Sequence, residues 1–190
     1  MKHAGIASVS LISLTIVALA STLALGQTST SKGTPQPPFN IEDAHRWFAV
    51  ECNNQVWSLL EKDNRTQEDN EIMVHAAHAS HYHWSVVGEP LNVQRGFWLI
   101  SRVYVVLKQG EIALYYATKC MDITNQQKLQ DFDLAYAYEA MARAHATLGN
   151  YGDAGQYIQL AQEAGEKIAG TEDRSLFFSD FNAGPWYGLK

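Results

Sequence analysis

The sequence predicts an all-α protein of antiparallel helical hairpins, and three observations carry that expectation. From Ile41 onward apolar residues recur at helical three- and four-residue spacing, with no sustained strand-like alternation. Breaks rich in Gly, Asn and Asp divide this stretch into pieces of similar length. A pattern of large and small residues also repeats. Phe97, Ile100, Ser101, Tyr104, Ala113, Ala117 and Cys120 are matched 41 residues later by Tyr138, Met141, Ala142, His145, Ala154, Ile158 and Ala161. Small residues at such positions let two helices approach closely.

Ahead of the helices, Lys2 and His3 precede an apolar run from Ile6 to Leu25 that closes on Ala24-Leu25-Gly26. A basic head, an apolar stretch and small residues mark 1–26 as a secretory signal, so the chain is expected to be exported, periplasmic or secreted. The alternative is an N-terminal membrane anchor, because a run of this length can span a bilayer. Residues 27–40, QTSTSKGTPQPPFN, have the composition of a flexible linker. The helical domain is expected over 41–190.

The elements follow in order. Asn40 precedes Ile41-Glu42-Asp43, with acids in the first turn where the helix dipole favours them. That helix should run to about Lys62 and stop at Asp63-Asn64-Arg65. Asn64-Arg65-Thr66 is also a glycosylation sequon in a eukaryotic host. Thr66 stands in capping-box relation to Asp69, and a second helix follows to about Val87, where Gly88-Glu89-Pro90 ends it. A third is expected from about Asn92 to Gln109. Gly110 turns the chain into a fourth that ends near Ile123, leaving Thr124–Gln130 as a loop. The fifth spans Asp131 to Leu148. Gly149-Asn150-Tyr151-Gly152 is the next turn, and the sixth runs from Asp153 to Ala169, stopped by Gly170. A short helix, Glu172 to Phe181, and an aromatic tail, Gly184-Pro185-Trp186-Tyr187, close the chain.

The pattern over residues 131–169 resembles the tetratricopeptide repeat, in which a large residue, a small residue and a Tyr precede a Gly turn and a small residue follows it. Residues 92–123 follow it less fully, and the first two helices depart from it. The spacing of 41 exceeds the usual repeat of about 34, and the terminal Pro is missing. QRGFWLISRVYVVL, GEIALYYATKC and DFDLAYAYEAMARAHATLGNYGDA are similar to a group of uncharacterised bacterial tetratricopeptide-like proteins, over about residues 70–180. The resemblance implies a short solenoid of stacked hairpins with a C-terminal capping helix. It also implies a concave face, lined by the first helix of each pair, that binds a peptide or protein. On that face Arg95, Trp98 and Arg102 align with Tyr136, Glu139 and Arg143. Two guanidinium groups beside aromatic rings suit a carboxylate. The competing reading pairs each Arg with a local acid, since Arg143 lies four residues after Glu139.

Charge narrows the partners. The chain carries 14 Lys and Arg against 20 Asp and Glu, a net charge of −6, which becomes −7 without Lys2. No basic run exists to hold a phosphate backbone, so nucleic-acid binding is excluded. No membrane association is expected after signal cleavage. Cys52 and Cys120 either form one disulfide or pack as small apolar residues. Cys52 shares an apolar stripe with Ala44, Phe48, Val56 and Leu59.

HAAHASHYHW, residues 75–84, holds four of the seven histidines. At about 100° per residue, only His75 and His78 share a face, together with Glu71 and Tyr82. Glu71, His75 and His78, with His145 as a further ligand, form an alternative site for Zn or Fe in a hydrolase-like enzyme. The competing reading is a solvated or packed helix face, with Met73, Ala77 and Trp84 on its buried side. His45 is set aside as separate from this cluster. No nucleophile elbow and no phosphate-cradling Gly loop occur, so no catalytic residue is assigned. The expected function is an exported peptide- or protein-interaction module without a cofactor.

Overall fold

The computed structural model describes residues 37–189; residues 1–26, expected to be a signal, and residues 27–36 of the expected linker lie outside the described residues. Seven helices and no strand are found among them: α1 (Ile41–Leu60), α2 (Gln67–Val87), α3 (Pro90–Val106), α4 (Gly110–Gln126), α5 (Asp131–Thr147), α6 (Tyr151–Glu166) and α7 (Thr171–Asn182). None is long and apolar enough to cross a membrane.

Local capping chemistry sets several of the starts. Asn40 accepts hydrogen bonds from the amides of Glu42 and Asp43 at 2.8 and 3.2 Å, which satisfies two orphan donors of α1. Thr66 and Asp69 form the reciprocal capping box of α2. Asp69 also takes a 2.6 Å bond from Lys62, and that bond, with the Thr66 amide, lowers its carboxyl to about 2. α3 begins two residues earlier than the sequence suggests, because Pro90 occupies the first turn and the Asn92 side chain accepts the Glu89 amide at 2.9 Å. It ends at Val106, three residues early, since Lys108 takes a left-handed φ of 60°. Gly110 then opens α4 rather than serving as a free turn residue.

One expected loop is a correction. Thr124 belongs to α4, which runs to Gln126, because its hydroxyl donates to the Cys120 carbonyl and accepts from Gln94 Nε2 on α3. α6 is likewise displaced, starting at Tyr151 and ending at Glu166.

α1 and α2, α3 and α4, and α5 and α6 pack as consecutive pairs; α3 also meets α5, and α7 packs on α5 and α6. The first pair is antiparallel, since early His45 meets late His83 and Ser80 Oγ donates to the Ala49 carbonyl at 2.8 Å. Ser101, Ala113, Ala142 and Ala154, expected at close helix crossings, are all fully buried, and Ser101 Oγ donates to the Ala113 carbonyl at 2.9 Å. Met73 and Ala77 of α2 pack with Val56 of α1 and with Leu99, Ile100 and Val103 of α3. Val105, Ala113, Ala117, Ala140, Met141 and Ala144 join α3, α4 and α5. Tyr136, Ala161, Ile168, Phe177, Phe181 and Trp186 form a third cluster over α5, α6, α7 and the tail.

α1 packs less regularly than its apolar stripe implies. Ala49 and Val56 are buried, Cys52 is half-buried, and Phe48 is exposed. Cys52 and Cys120 are both free thiols. Burial raises the pKa of each, that of Cys120 far more.

Gly165 of α6 is required by contact. A Cβ there would lie 2.3 Å from Phe177 Cε1, and Phe177 is fully buried. Gly→Ala in a helix normally gains about 1 kcal/mol from propensity, whereas overpacking costs about 1–3 kcal/mol. Net of that gain, Gly165→Ala is expected to lower stability by up to about 2 kcal/mol in urea unfolding; a higher midpoint would contradict this packing.

Candidate binding groove

The groove is built over one buried carboxylate. Glu139 of α5 is 1% exposed and accepts from Trp98 Nε1 at 3.0 Å and Arg102 Nη1 at 3.1 Å, both on α3, and from Arg143 Nε one turn along α5. Burial alone would raise this carboxyl. Arg143, Arg102 and the Trp98 bond outweigh that effect and hold it below the usual carboxylate range. Burial lowers Arg143, and Glu139 opposes the shift.

Arg143 uses its outer donors on the end of the chain. Nη2 bonds the carbonyls of Asp180 and Ala183 at 2.7 and 3.1 Å, and Nη1 bonds that of Pro185 at 3.1 Å. The Trp186 ring covers its guanidinium at 4.1 Å, a cation–π contact. Tyr187 Oη reaches back to the Val105 carbonyl at 2.5 Å. The aromatic tail is therefore fastened to α3 and α5.

Two clefts open above this floor. The first, ≈ 460 Å³, is walled by Trp57 of α1, Trp98 of α3, Phe132 and Tyr136 of α5 and Leu176 of α7, with Asn53 and Arg95 among its polar residues. Trp57 and Trp98 lie 5.9 Å apart, and Trp98 meets Tyr136 edge-on at 5.0 Å. Arg95 grips Asp133 through two bonds, 2.7 and 3.1 Å. Tyr136 Oη donates to Asp180 at 2.6 Å; burial first, then this carboxylate, raises the phenol. The second cleft, ≈ 490 Å³, shares Trp57, Glu61 and Asp180 with the first and adds Arg65, Arg102 and Lys108 beside Gly184 and Pro185.

The six expected groove residues therefore divide. Arg95, Trp98 and Tyr136 line the first cleft, Arg102 lines the second, and Glu139 and Arg143 lie buried beneath. The local pairing of Arg143 with Glu139 is present in the fold. Sequence reasoning did not single out Trp57, Phe132, Leu176 or Asp180. For Trp57 a signal existed: it stands 41 residues before Trp98, as Trp98 stands 41 before Glu139.

The second candidate set is spread over the molecule. Glu71, which accepts from Gln67, and exposed His75 border one depression with Leu107 and Gln109. His78 borders another, bonding Tyr104 Oη at 3.1 Å and meeting Tyr116 edge-on. Burial, then His75, lowers the His78 pKa. His145 belongs to the α5–α6 pair, stacked on Tyr157 with Asp153 at 3.8 Å. Among the described residues no group of three or more His, Cys, Asp or Glu is placed to hold a metal ion. The remaining histidines of the cluster also go elsewhere. His81 lies on Phe97 at 4.1 Å against Gly96, and His83 meets His45.

Fold and site together define an all-helical protein with an aromatic groove over a buried ion cluster. No family model matches the chain, and no curated protein or solved structure matches it significantly.

Two predictions follow from the floor. Glu139→Gln leaves two arginines without their carboxylate, and should cost about 3 kcal/mol or more in urea unfolding. Arg95→Ala, at a half-exposed pair, should cost about 1 kcal/mol or less. Equal losses would show that the buried cluster is not the anchor. Because the folded Glu139 carboxyl is lowered, the unfolded state binds the proton more tightly, so this stabilisation is complete above the unfolded value of about 4.3. It is lost as pH falls through the folded value. Wild-type stability should thus drop in acid more steeply than that of Glu139→Gln, as read from urea midpoints between pH 6 and 2.

Proposed function

We propose that this chain is an exported tetratricopeptide-like module that binds an extended peptide segment of another protein along the two linked clefts. The observation that carries the reading is the first cleft. Its volume falls in the range of about 300–1,000 Å³ typical of ligand sites, and four helices supply its apolar wall. It accepts one large apolar side chain.

Continuity with the second cleft favours an extended chain over a compact small molecule. The row Trp57, Trp98, Glu139, at equal spacing on the first helix of each pair, supports stacked tetratricopeptide-like hairpins. The packing of α7 on α5 and α6 supports its role as a cap. Export rests on the basic head, apolar run and small residues of 1–26.

The test is selection from a random-peptide display library, followed by affinity measurement through intrinsic tryptophan fluorescence, to which Trp57 and Trp98 of the cleft contribute. Leu176 is half-exposed on the cleft wall, so Leu176→Glu should leave Tm nearly unchanged. Selected peptides should carry an aromatic or large aliphatic residue and bind this variant at least about tenfold more weakly, a difference of about 1.4 kcal/mol. Peptides that bind the variant as tightly as the wild type would sink the assignment, as would a selection that yields none.

A further inference from the structure

His45 was set aside from the histidine cluster on its position in the chain, yet the fold brings it to one of the cluster's members. His45 of α1 and His83 of α2 face each other with their Nδ1 atoms 2.8 Å apart. Their rings lie 4.9 Å apart and are inclined by 59°. Phe48 stacks on His83 at 5.4 Å, and Tyr82 lies edge-on to it at 5.4 Å. These neighbours hold the imidazoles in place, and both rings are only half-buried.

As a hydrogen bond, this contact needs one ring to donate Nδ1–H and the other to accept. With both protons on Nε2, two lone pairs converge instead. Two nitrogens about 2.0–2.1 Å from one ion lie roughly 2.9 Å apart at a right angle and roughly 3.3 Å apart at the tetrahedral angle. The observed separation is within about half an ångström of either arrangement.

We propose that His45 and His83 chelate one divalent late transition-metal ion through their Nδ1 atoms, tying α1 to α2. An all-imidazole donor pair suits Zn²⁺, Cu²⁺ and Ni²⁺ over Mg²⁺ or Ca²⁺. Binding releases no proton, because the donor ring's Nδ1–H moves to Nε2 and the second ring is already neutral. Two protein ligands leave the remaining positions to water. The site is separate from the groove and does not depend on it.

The test is calorimetric titration of the untagged, chelator-treated full chain with ZnCl₂. One Zn²⁺ per chain is expected in the wild type and in His75→Ala/His78→Ala. Losing even an outer-shell partner costs a metal site about 10–100-fold, so His45→Ala and His83→Ala should each weaken binding by at least about tenfold. Zn²⁺ should raise Tm in the wild type and in neither single variant. His45→Phe and His83→Phe keep a ring in each place, so they separate loss of a ligand from loss of packing and should behave as the alanine variants do. The proposal is overturned if both single variants retain wild-type affinity, if His75→Ala/His78→Ala loses the ion instead, or if millimolar Zn²⁺ produces no saturable binding.

Discussion

A carboxylate removed from water must be compensated where it stands, and in this protein that requirement falls on Glu139. Its oxygens are shared by Trp98 and Arg102 from α3 and by Arg143 from its own helix. Because the partners come from two helices, the cluster sets how α3 lies along α5. A slip of one turn would strand a buried charge, which costs more than the packing it would regain. Arg143, held from one side by Glu139, presents its other donors to the carbonyls of residues 180–185 and its face to Trp186. One ionised group thereby determines where two helices and the chain end meet, and these form much of the groove.

Around that point the fold relies on small side chains. α5 touches α3, α4, α6 and α7, and Ala135, Ala137, Ala140, Ala142, Ala144 and Ala146 are all buried along it. A helix surrounded on so many sides cannot carry large residues at every position without pushing its neighbours apart. Bulk enters instead through Phe177, Phe181 and Trp186, which reach α5 from α7 and the tail, and Gly165 makes room for one of them. The aromatic cleft opens among α1, α3, α5 and α7, which supply its walls.

Much of this was legible in the sequence where the determinants are local. Asn40, and Thr66 with Asp69, mark helix starts through atoms within three residues, and they do so in the fold, whereas Pro90, expected to end α2, opens α3. Thr124 was not legible as helix, since the Gln94 side chain that engages it lies thirty residues away. The groove shows the same division. The tetratricopeptide resemblance implied a common face for Arg95, Trp98 and Tyr136, but it did not show that Glu139 and Arg143 would be roofed over. That depends on a tail outside any helical repeat. Trp57 was obscured by its own helix, where exposed Trp47, Phe48 and Val50 blur the apolar stripe. The histidines could be separated by helical rotation alone, yet their partners, Tyr104, Phe97 and His45, come from other helices.

The pairing of charges bears on what a ligand in the proposed groove would recognise. In the first cleft Arg95 is committed to Asp133 and Asp180 to Tyr136, while the floor beneath is an arginine pair neutralised by Glu139 and assisted by Asp180. Extracting any of these groups to meet a charged ligand would break an existing bond and recover little net energy. The rings of Trp57, Trp98, Phe132 and Tyr136 line the cleft with Arg95 over Phe132 at 5.6 Å, and their apolar surface gains from losing water. Under the proposed function, selectivity in this cleft would fall to the shape and apolar bulk of one side chain.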